Sequence, residues 1–500
     1  MKMPESFKKV VGGILLVGLL VVALLLLKDK GNNIKSVTLT SPGNLAFQNQ
    51  LEITLEHPAS IYVRYWIKGS SDKYRTPATS VSDSFKIPLL LLETDTTYDY
   101  QIVVEGTIPK YSKTLSFTTR EQSPWLVYNW VKEENPHDAS SLGNGLVMLC
   151  FGRTPGYVTM VDGKGAIRWY WQIDDIGVRA ARLTGHGTVL AMLRPVKLDV
   201  IDDTPKSNAE IIQELHVPMR RGSIGFAGGT AIAEVGLDGQ LLWRLDMKTL
   251  PNPEYHVIHH DVLMDADGNI CTLYRPKKIF DLSKVGGAGI DTLGGDGILV
   301  IDKTGKEIWK WSVWDEWNIA NDPNINEYKY DRFHMNSLSF DRDSNFLVSV
   351  AVEDQVWKIN RKTGKVMWKF GKNGDFKMDT TYSFSFQHTA HTNSDGDLML
   401  MDNSLFRKES RGLSFTLDTV SWTATNKICA PLPTNKYTSR MGSSYLLPNG
   451  NLLQTSAKTG TVLVTSSAGE NVHWELNSFY VPYRAEYVPA DTWKKFFIKE

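Results

Sequence analysis

Gly364-Lys365-Val366-Met367-Trp368 places a turn glycine four residues ahead of a tryptophan, and the pattern recurs along the chain. Copies stand at Gly165-Ala166-Ile167-Arg168-Trp169, Gly239-Gln240-Leu241-Leu242-Trp243 and Gly305-Lys306-Glu307-Ile308-Trp309. A degenerate copy ends at Trp422 and a last one runs from Gly469 to Trp474. Glycine supplies the left-handed backbone of a tight hairpin, and one Trp per unit is large enough to fill the gap between neighbouring sheets.

Between these copies lies a second half-unit, a turn followed by a short apolar strand. It reads Asp267-Gly268-Asn269-Ile270, Asp395-Gly396-Asp397-Leu398 and Pro448-Asn449-Gly450-Asn451-Leu452. Weaker forms begin at Leu142, Gly185 and Asp343. About four strands per unit at a spacing of roughly 50–75 residues is the pattern of a β-propeller. Six tryptophans in register give six blades. A solenoid would have shorter, more uniform units. Insertions at Lys197–Ser223 and Trp314–Tyr330 are expected to be loops over one face.

Histidines recur at one place in this repeat. His259-His260-Asp261, His334-Met335-Asn336 and Gln387-His388-Thr389-Ala390-His391 all precede the turn-then-strand half, and His137-Asp138 stands at the same place in the first unit. The innermost strand of each blade lines the axis, so neighbouring blades aim imidazoles into one funnel. His391, three residues past His388, faces elsewhere on strand spacing. His57, His186, His216 and His473 read as surface or turn residues.

Residues 33–120 read as a separate small β-sandwich, with six strand-like segments from Ser36 to Thr118. Leu92, Thr97, Tyr98 and Tyr100 resemble the corner of fibronectin type III or immunoglobulin-like domains, where a Tyr hydroxyl bonds back to the preceding loop. No acid, base or nucleophile cluster lies there. Residues 1–32 contain the uncharged apolar run Val10–Leu27, which would span about 27 Å as a helix. Lys28-Asp29-Lys30 follows without a small-residue cleavage site, so an uncleaved signal-anchor is expected. It would hold the rest of the chain on the extracytoplasmic side of a membrane. Residues 121–500 are then the propeller, and the whole is an all-β protein behind one transmembrane helix.

Lys plus Arg balance Asp plus Glu at 55 each, so no net field favours nucleic acid. Cys150, Cys271 and Cys429 lie far apart in apolar segments and read as buried free thiols.

With these residues in view, the chain resembles the bacterial arylsulfate sulfotransferases, which use aryl sulfate esters rather than an activated nucleotide sulfate. The resemblance rests on His259-His260-Asp261-Val262, His334-x-Asn336-Ser337, Gln387-His388-Thr389-Ala390 with Asp402-Asn403, Ser410-Arg411, Met441-Gly442-Ser443 and Tyr483-Arg484-Ala485-Glu486. It implies a ping-pong sulfuryl transfer from an aryl sulfate donor to a phenolic acceptor, with no cofactor. His388 would be the transiently sulfated nucleophile. His334 and His260, or its neighbour His259, would contact the sulfuryl group and shuttle protons, and Asn336 would add a donor. The family also places an Arg on the strand after His-x-Asn-Ser, and Val348–Asp354 has none. Arg275, Arg411, Arg440 and Arg484 are the candidates to replace it. A homodimer is left open.

The chemistry suits these residue types. Neutral imidazole is an adequate nucleophile at neutral pH, and a second His can protonate a departing phenolate. Two other readings compete. Convergent histidines can bind Zn²⁺ or Cu²⁺, with Asp261 as the only clear carboxylate. A propeller can also serve as a non-catalytic binding module.

Overall fold

The computed structural model describes residues 33–41, 48–121, 129–131, 138–151, 156–173, 176–195, 228–322, 325–326, 331–478 and 481–500. The expected membrane span, the insertion at 197–223 and His137 lie outside these residues. Among the described residues no helix is long and apolar enough to cross a membrane. They contain strands and short 3₁₀ turns throughout, so the chain is all-β as expected.

The chain forms two compact units. One holds the described residues up to Leu126 together with Ile167–Trp171 and Ala490–Glu500. The other holds Val127–Ala166 and Gln172–Pro489.

In the first unit, Ile34–Thr40, Asn49–Ala59 and Ser82–Leu89 make one sheet. Ile61–Ile67, Thr97–Val104 and shorter strands make a second. Alternating side chains of both sheets, among them Leu51, Ile53, Val63, Tyr65, Phe85 and Ile102, enter one apolar core. The Tyr98 hydroxyl accepts the Glu93 backbone N–H at 2.8 Å, the corner contact anticipated from the sequence. The C-terminal strand Ile498–Lys499 pairs Tyr74–Arg75, so residues 490–500 belong here and not with the second unit, where the sequence reading put them.

The second unit is a β-propeller of successive antiparallel sheets. Its first sheet holds Tyr157–Val161, Leu146–Phe151 and Pro482–Val488. The next sheet runs from Ile176–Leu183 to Leu241–Asp246, the third from Ile258–Met264 to Glu307–Ser312, and the fourth from Met335–Phe340 to Val366–Gly371. The fifth runs from His388–Thr392 to Thr423–Pro431, and the sixth from Ser443–Leu446 to Val472–Ser478. Because Pro482–Val488 pairs Leu146–Phe151, the last strand closes the ring onto the first.

The repeated tryptophans behave as gap fillers. Trp309 stacks on Phe346 of the next sheet at 5.6 Å, the Trp243 indole donates to the Lys303 carbonyl, and the Trp474 indole donates to the Gly163 carbonyl. Trp422 departs from the pattern. It sits in a turn with φ of 55°, 39 % exposed, against Phe376. Cys150, Cys271 and Cys429 are free thiols, and burial pushes Cys150 up to about 11.

The inner strands are tied to one another by polar bonds around the axis. The Asp261 carboxylate, fully buried, receives two bonds from Arg182 at 2.9 and 2.8 Å and one from Arg484 at 2.9 Å. The backbone N–H groups of Val262 and Leu338 donate to it at 3.1 Å. One carboxylate thereby joins inner strands of four sheets. Arg182 also pairs Glu486, Asn336 donates to the Gln387 carbonyl at 2.8 Å, and Thr389 donates to the Gly442 carbonyl at 2.8 Å. Gly442 N–H donates to the Tyr483 carbonyl at 3.0 Å, completing the circuit.

Breaking a buried ion pair from one side leaves an uncompensated charge, at a cost of about 3–5 kcal/mol. Asp261→Ala, which takes the carboxylate from Arg484 and leaves Arg182 with Glu486 alone, should lower unfolding stability by about that amount. Urea denaturation followed by Trp fluorescence measures it; an unchanged midpoint would show the network to be dispensable.

Candidate active site

The histidines are positioned by breaks in the inner strands. Strand register shifts between His259 and Val262, between Met335 and Ser337, and between His388 and His391. At these breaks His260, His334 and Thr389 take left-handed φ values of 58°, 49° and 53°. That conformation is uncommon outside glycine, and for a β-branched residue such as Thr389 it is a true outlier. Bulges of this kind re-aim side chains and concentrate near active sites. Here they turn imidazoles of three consecutive sheets toward one another.

The His260 and His334 rings meet edge-on with centroids 4.9 Å apart. Phe386 stacks on His334 at 5.6 Å and meets His388 at 5.9 Å. The Tyr483 ring stands 6.1 Å from His260 and 6.4 Å from His388. His259 lies behind this group, fully buried, with its Nδ1 2.8 Å from His260 Nδ1. The structure therefore separates the tandem pair: His260 faces the other two rings and His259 backs it.

Hydrogen bonding fixes which nitrogen of His388 carries the proton. Its Nδ1 lies 2.8 Å from Asn403 Oδ1 and 3.1 Å from the Phe386 carbonyl. The Asn403 amide nitrogen donates to the Thr438 and Met441 carbonyls at 2.7 and 2.9 Å, so its oxygen is the atom turned to His388. Both neighbours of Nδ1 are acceptors, hence Nδ1 carries hydrogen and Nε2 of the neutral ring holds the lone pair. Burial, with the nearby His334, pulls His388 down to about 3, so at neutral pH the ring is uncharged.

His334 is tuned the opposite way. Burial works against its charge, but Asp331 Oδ2 at 2.7 Å from Nδ1 outweighs it, and the group titrates above the ordinary imidazole value. With Nδ1–H held by Asp331, the second proton sits on Nε2. Asp331 in turn takes an Arg275 N–H at 2.8 Å. Burial, then the neighbouring His334 and His259, pushes His260 well below the ordinary value. Three imidazoles thus stand together with their titrations pushed in opposite directions, the kind of separation that general acid–base chemistry uses.

The remaining expected site residues are placed differently. Asn336 is fully buried, and its amide ties the fourth sheet to the fifth immediately before His388. Arg411 is buried against Asp402 at 2.9 Å and the Ser383 carbonyl, outside the histidine group. Arg484 bonds Asp261 and the His260 carbonyl and lies over the Tyr483 ring at 4.8 Å. It is part of the axial network and holds the strained His260 backbone. Arg440 is half-buried, and burial lowers both it and its charged neighbour Lys458. His391 is not among the three facing rings. It donates from Nδ1 to the Thr389 carbonyl and packs against Tyr445 at 4.6 Å.

Asp331, Asp296 and Asn403 are the polar partners that the sequence reading did not assign. Asp331 was signalled by its spacing of three from His334 and Asn403 by its place directly after the fifth sheet's second strand; Asp296 had no local signal. Among the described residues no three His, Cys, Asp or Glu side chains are grouped to hold a metal ion. The carboxylate of Asp261, the one anticipated for such a site, is consumed by two arginines.

Removing the charge at Asp331 should undo the raised titration of His334. In Asp331→Asn the His334 midpoint is expected to move about 1–3 pH units lower. Ring-proton NMR titration reads this directly, and an unmoved His334 midpoint would refute the pairing.

A family model described as Arylsulfotransferase (ASST) matches residues 208–478, more than half of the chain, including His259, His260, His334, His388 and His391. No curated protein matches. Among solved structures, a protein of unknown function from Bacteroides caccae is 11 % identical, with 69 % of this chain and 99 % of that chain covered and a TM-score of 0.40. A β-propeller domain of Cps50 (Swd1) from Myceliophteria thermophila is 8 % identical over 69 % and 83 %, with a TM-score of 0.34. A streptogramin B lyase is 9 % identical over 87 % and 99 %, with a TM-score of 0.32. The functional affiliation comes from the family match: this chain belongs to the arylsulfotransferase family.

Proposed function

We propose that this protein moves a sulfuryl group from an aryl sulfate ester to a phenolic acceptor through a sulfohistidine on His388, without a nucleotide sulfate. The observation that carries the reading is the His388 ring, whose Nδ1–H is held by Asn403 and the Phe386 carbonyl so that Nε2 keeps the lone pair, beside a His334 whose Nδ1 is held by Asp331. Six sheets in ring order support a six-bladed propeller, and the two-sheet core of the first unit supports a β-sandwich. We further place the protein on the extracytoplasmic side of a membrane through residues 1–32.

In the first half-reaction His388 Nε2 attacks sulfur. The sulfur–aryl oxygen bond breaks, and its electron pair leaves on the phenolate, which takes the proton from His334 Nε2. His388 Nδ1–H stays bonded to Asn403 and the Phe386 carbonyl, which stabilise the positive charge that sulfation puts on the ring. In the second half-reaction a phenol oxygen attacks the same sulfur, the nitrogen–sulfur bond breaks back onto Nε2, and the phenol proton passes to a neutral histidine of the group.

The sulfuryl oxygens need a cation. Arg275 follows strand Ile270–Tyr274 directly, as Ala351 follows Phe346–Val350 in the next sheet. Arg275 also lies within the charge environment of both His260 and His334. It is our candidate for the guanidinium that the strand after His-x-Asn-Ser lacks.

Incubation with a chromogenic aryl sulfate should release phenol and leave one sulfuryl group on the intact protein by mass. His388→Ala should abolish the adduct and cut turnover at least ~10³-fold. No adduct and no phenol release, with or without a phenol acceptor, would sink the transferase reading. The binding-module alternative would then stand.

A further inference from the structure

We propose that His259 and Asp296 form a buried positioning pair that fixes the tautomer of His260, presenting its Nε2 as a hydrogen-bond acceptor for the hydroxyl of the incoming phenol. The proposal deepens the sulfuryl-transfer reading and rests on it for the identity of the hydroxyl. The tautomer itself is independent of that reading.

The argument is a chain of donors and acceptors. His259 Nε2 lies 3.3 Å from the Tyr274 carbonyl and 3.2 Å from Asp296 Oδ1. The Tyr274 carbonyl can only accept, and the Asp296 carboxylate beside it, in ion-pair range, has no hydrogen to give, so the hydrogen of a singly protonated His259 belongs on Nε2. Its Nδ1 is then an acceptor. His260 Nδ1, 2.8 Å away, must be the donor of that bond. A singly protonated His260 is therefore left with a lone pair on Nε2, on the ring that faces His334. Asp296 is itself held: its Oδ2 accepts the Met335 N–H at 3.2 Å, and the side chain is fully buried. The anchoring residue sits next to His334 in sequence, so one carboxylate registers the third sheet's histidines against the fourth's.

This divides the two proton transfers between two rings. His334, which has given its proton to the departing phenolate, regains one from solvent because Asp331 favours its charged form. It is then in the wrong state to receive another. His260 is in the right one. The acceptor's O–H bond breaks toward His260 Nε2 while the oxygen–sulfur bond forms and the nitrogen–sulfur bond to His388 breaks. His260 afterwards loses that proton to solvent.

Two measurements test the pair. In ¹⁵N-histidine-labelled wild-type protein, long-range nitrogen–carbon-bound-proton correlations should give His260 Nδ1 as protonated and Nε2 as unprotonated. The opposite pattern overturns the proposal with no reference to activity. The second measurement uses Asp296→Asn. Its oxygen should keep the Met335 N–H and its amide turn to His259, reversing the chain so that His260 Nε2 becomes a donor. Acceptor-dependent turnover should then fall about 10²–10³-fold, well beyond any loss in the donor burst of phenol, and the sulfuryl adduct should persist in the presence of phenol. Equal loss of both half-reactions would overturn it. An unchanged acceptor step in a variant whose His260 tautomer has flipped would do the same. A wild-type protein that gives no adduct would refute the transferase reading while leaving the tautomer result to stand or fall on its own.

Discussion

The Asp261 carboxylate is where the second unit is held together. Two guanidinium groups and two backbone N–H groups converge on it, from inner strands of four different sheets. Burial raises a carboxyl's pKa, but Arg182 and Arg484 hold Asp261 below its ordinary value. A buried charge is tolerable only when its lone pairs are satisfied in this way. The arrangement contributes geometry more than net stability, because desolvating three charges offsets most of their attraction. What it secures is the register of the inner strands, since any slip would leave a charge unpaired in the axis.

That register sets the histidines. Arg484 bonds the carbonyl of His260 as well as Asp261, and thereby clamps a residue at a left-handed φ that only an over-determined site would hold. Three imidazoles then share one place yet titrate apart. The differences come from the partners behind them: a carboxylate at His334, an amide oxygen and a carbonyl at His388, a second imidazole at His260. Each inward nitrogen is defined by the bond made on the outward side of its own ring. The channel face of the site is therefore written by residues that never reach it.

Much of the architecture was legible in the sequence because it rests on local rules. Turn glycines and Asx turns punctuate hairpins whatever surrounds them, and the interval between Trp169, Trp243, Trp309, Trp368 and Trp474 reports the repeating sheet. The first unit's strands and the Tyr98 corner followed from alternation and one spacing. The site was legible only in part. Three of its histidines stood at equivalent strand starts, but nothing local told His259 from His260, since that depends on Asp296, which lies some way on in the chain, just before strand Gly297–Ile301. Arg411 and Arg484 carried the charge expected of a sulfuryl clamp, yet each has a buried carboxylate partner, Asp402 and Asp261, that only the folded sheet order brings near. Trp422 kept its residue type and lost its position, because the turn before Thr423–Pro431 swings it outward.

The residue that follows each sheet's second strand has been used for different purposes around the ring. In the third sheet it is Arg275, in the fourth Ala351, in the fifth Asn403. Asn403 orients the His388 ring. Arg275 meets Asp331, whose other oxygen holds His334, so its charge is felt at that ring. Ala351 offers no polar group, and this is the sheet whose strand lacks the arginine expected from the resemblance. A cation moved by one sheet keeps its distance from the axis and changes only its angle of approach. Sulfuryl oxygens are three and equivalent by rotation, so a guanidinium arriving from the adjacent sheet can meet a different pair of them at the same separation. On the proposed transfer reading, Arg275 would thus supply from the adjacent sheet the charge that the chemistry needs.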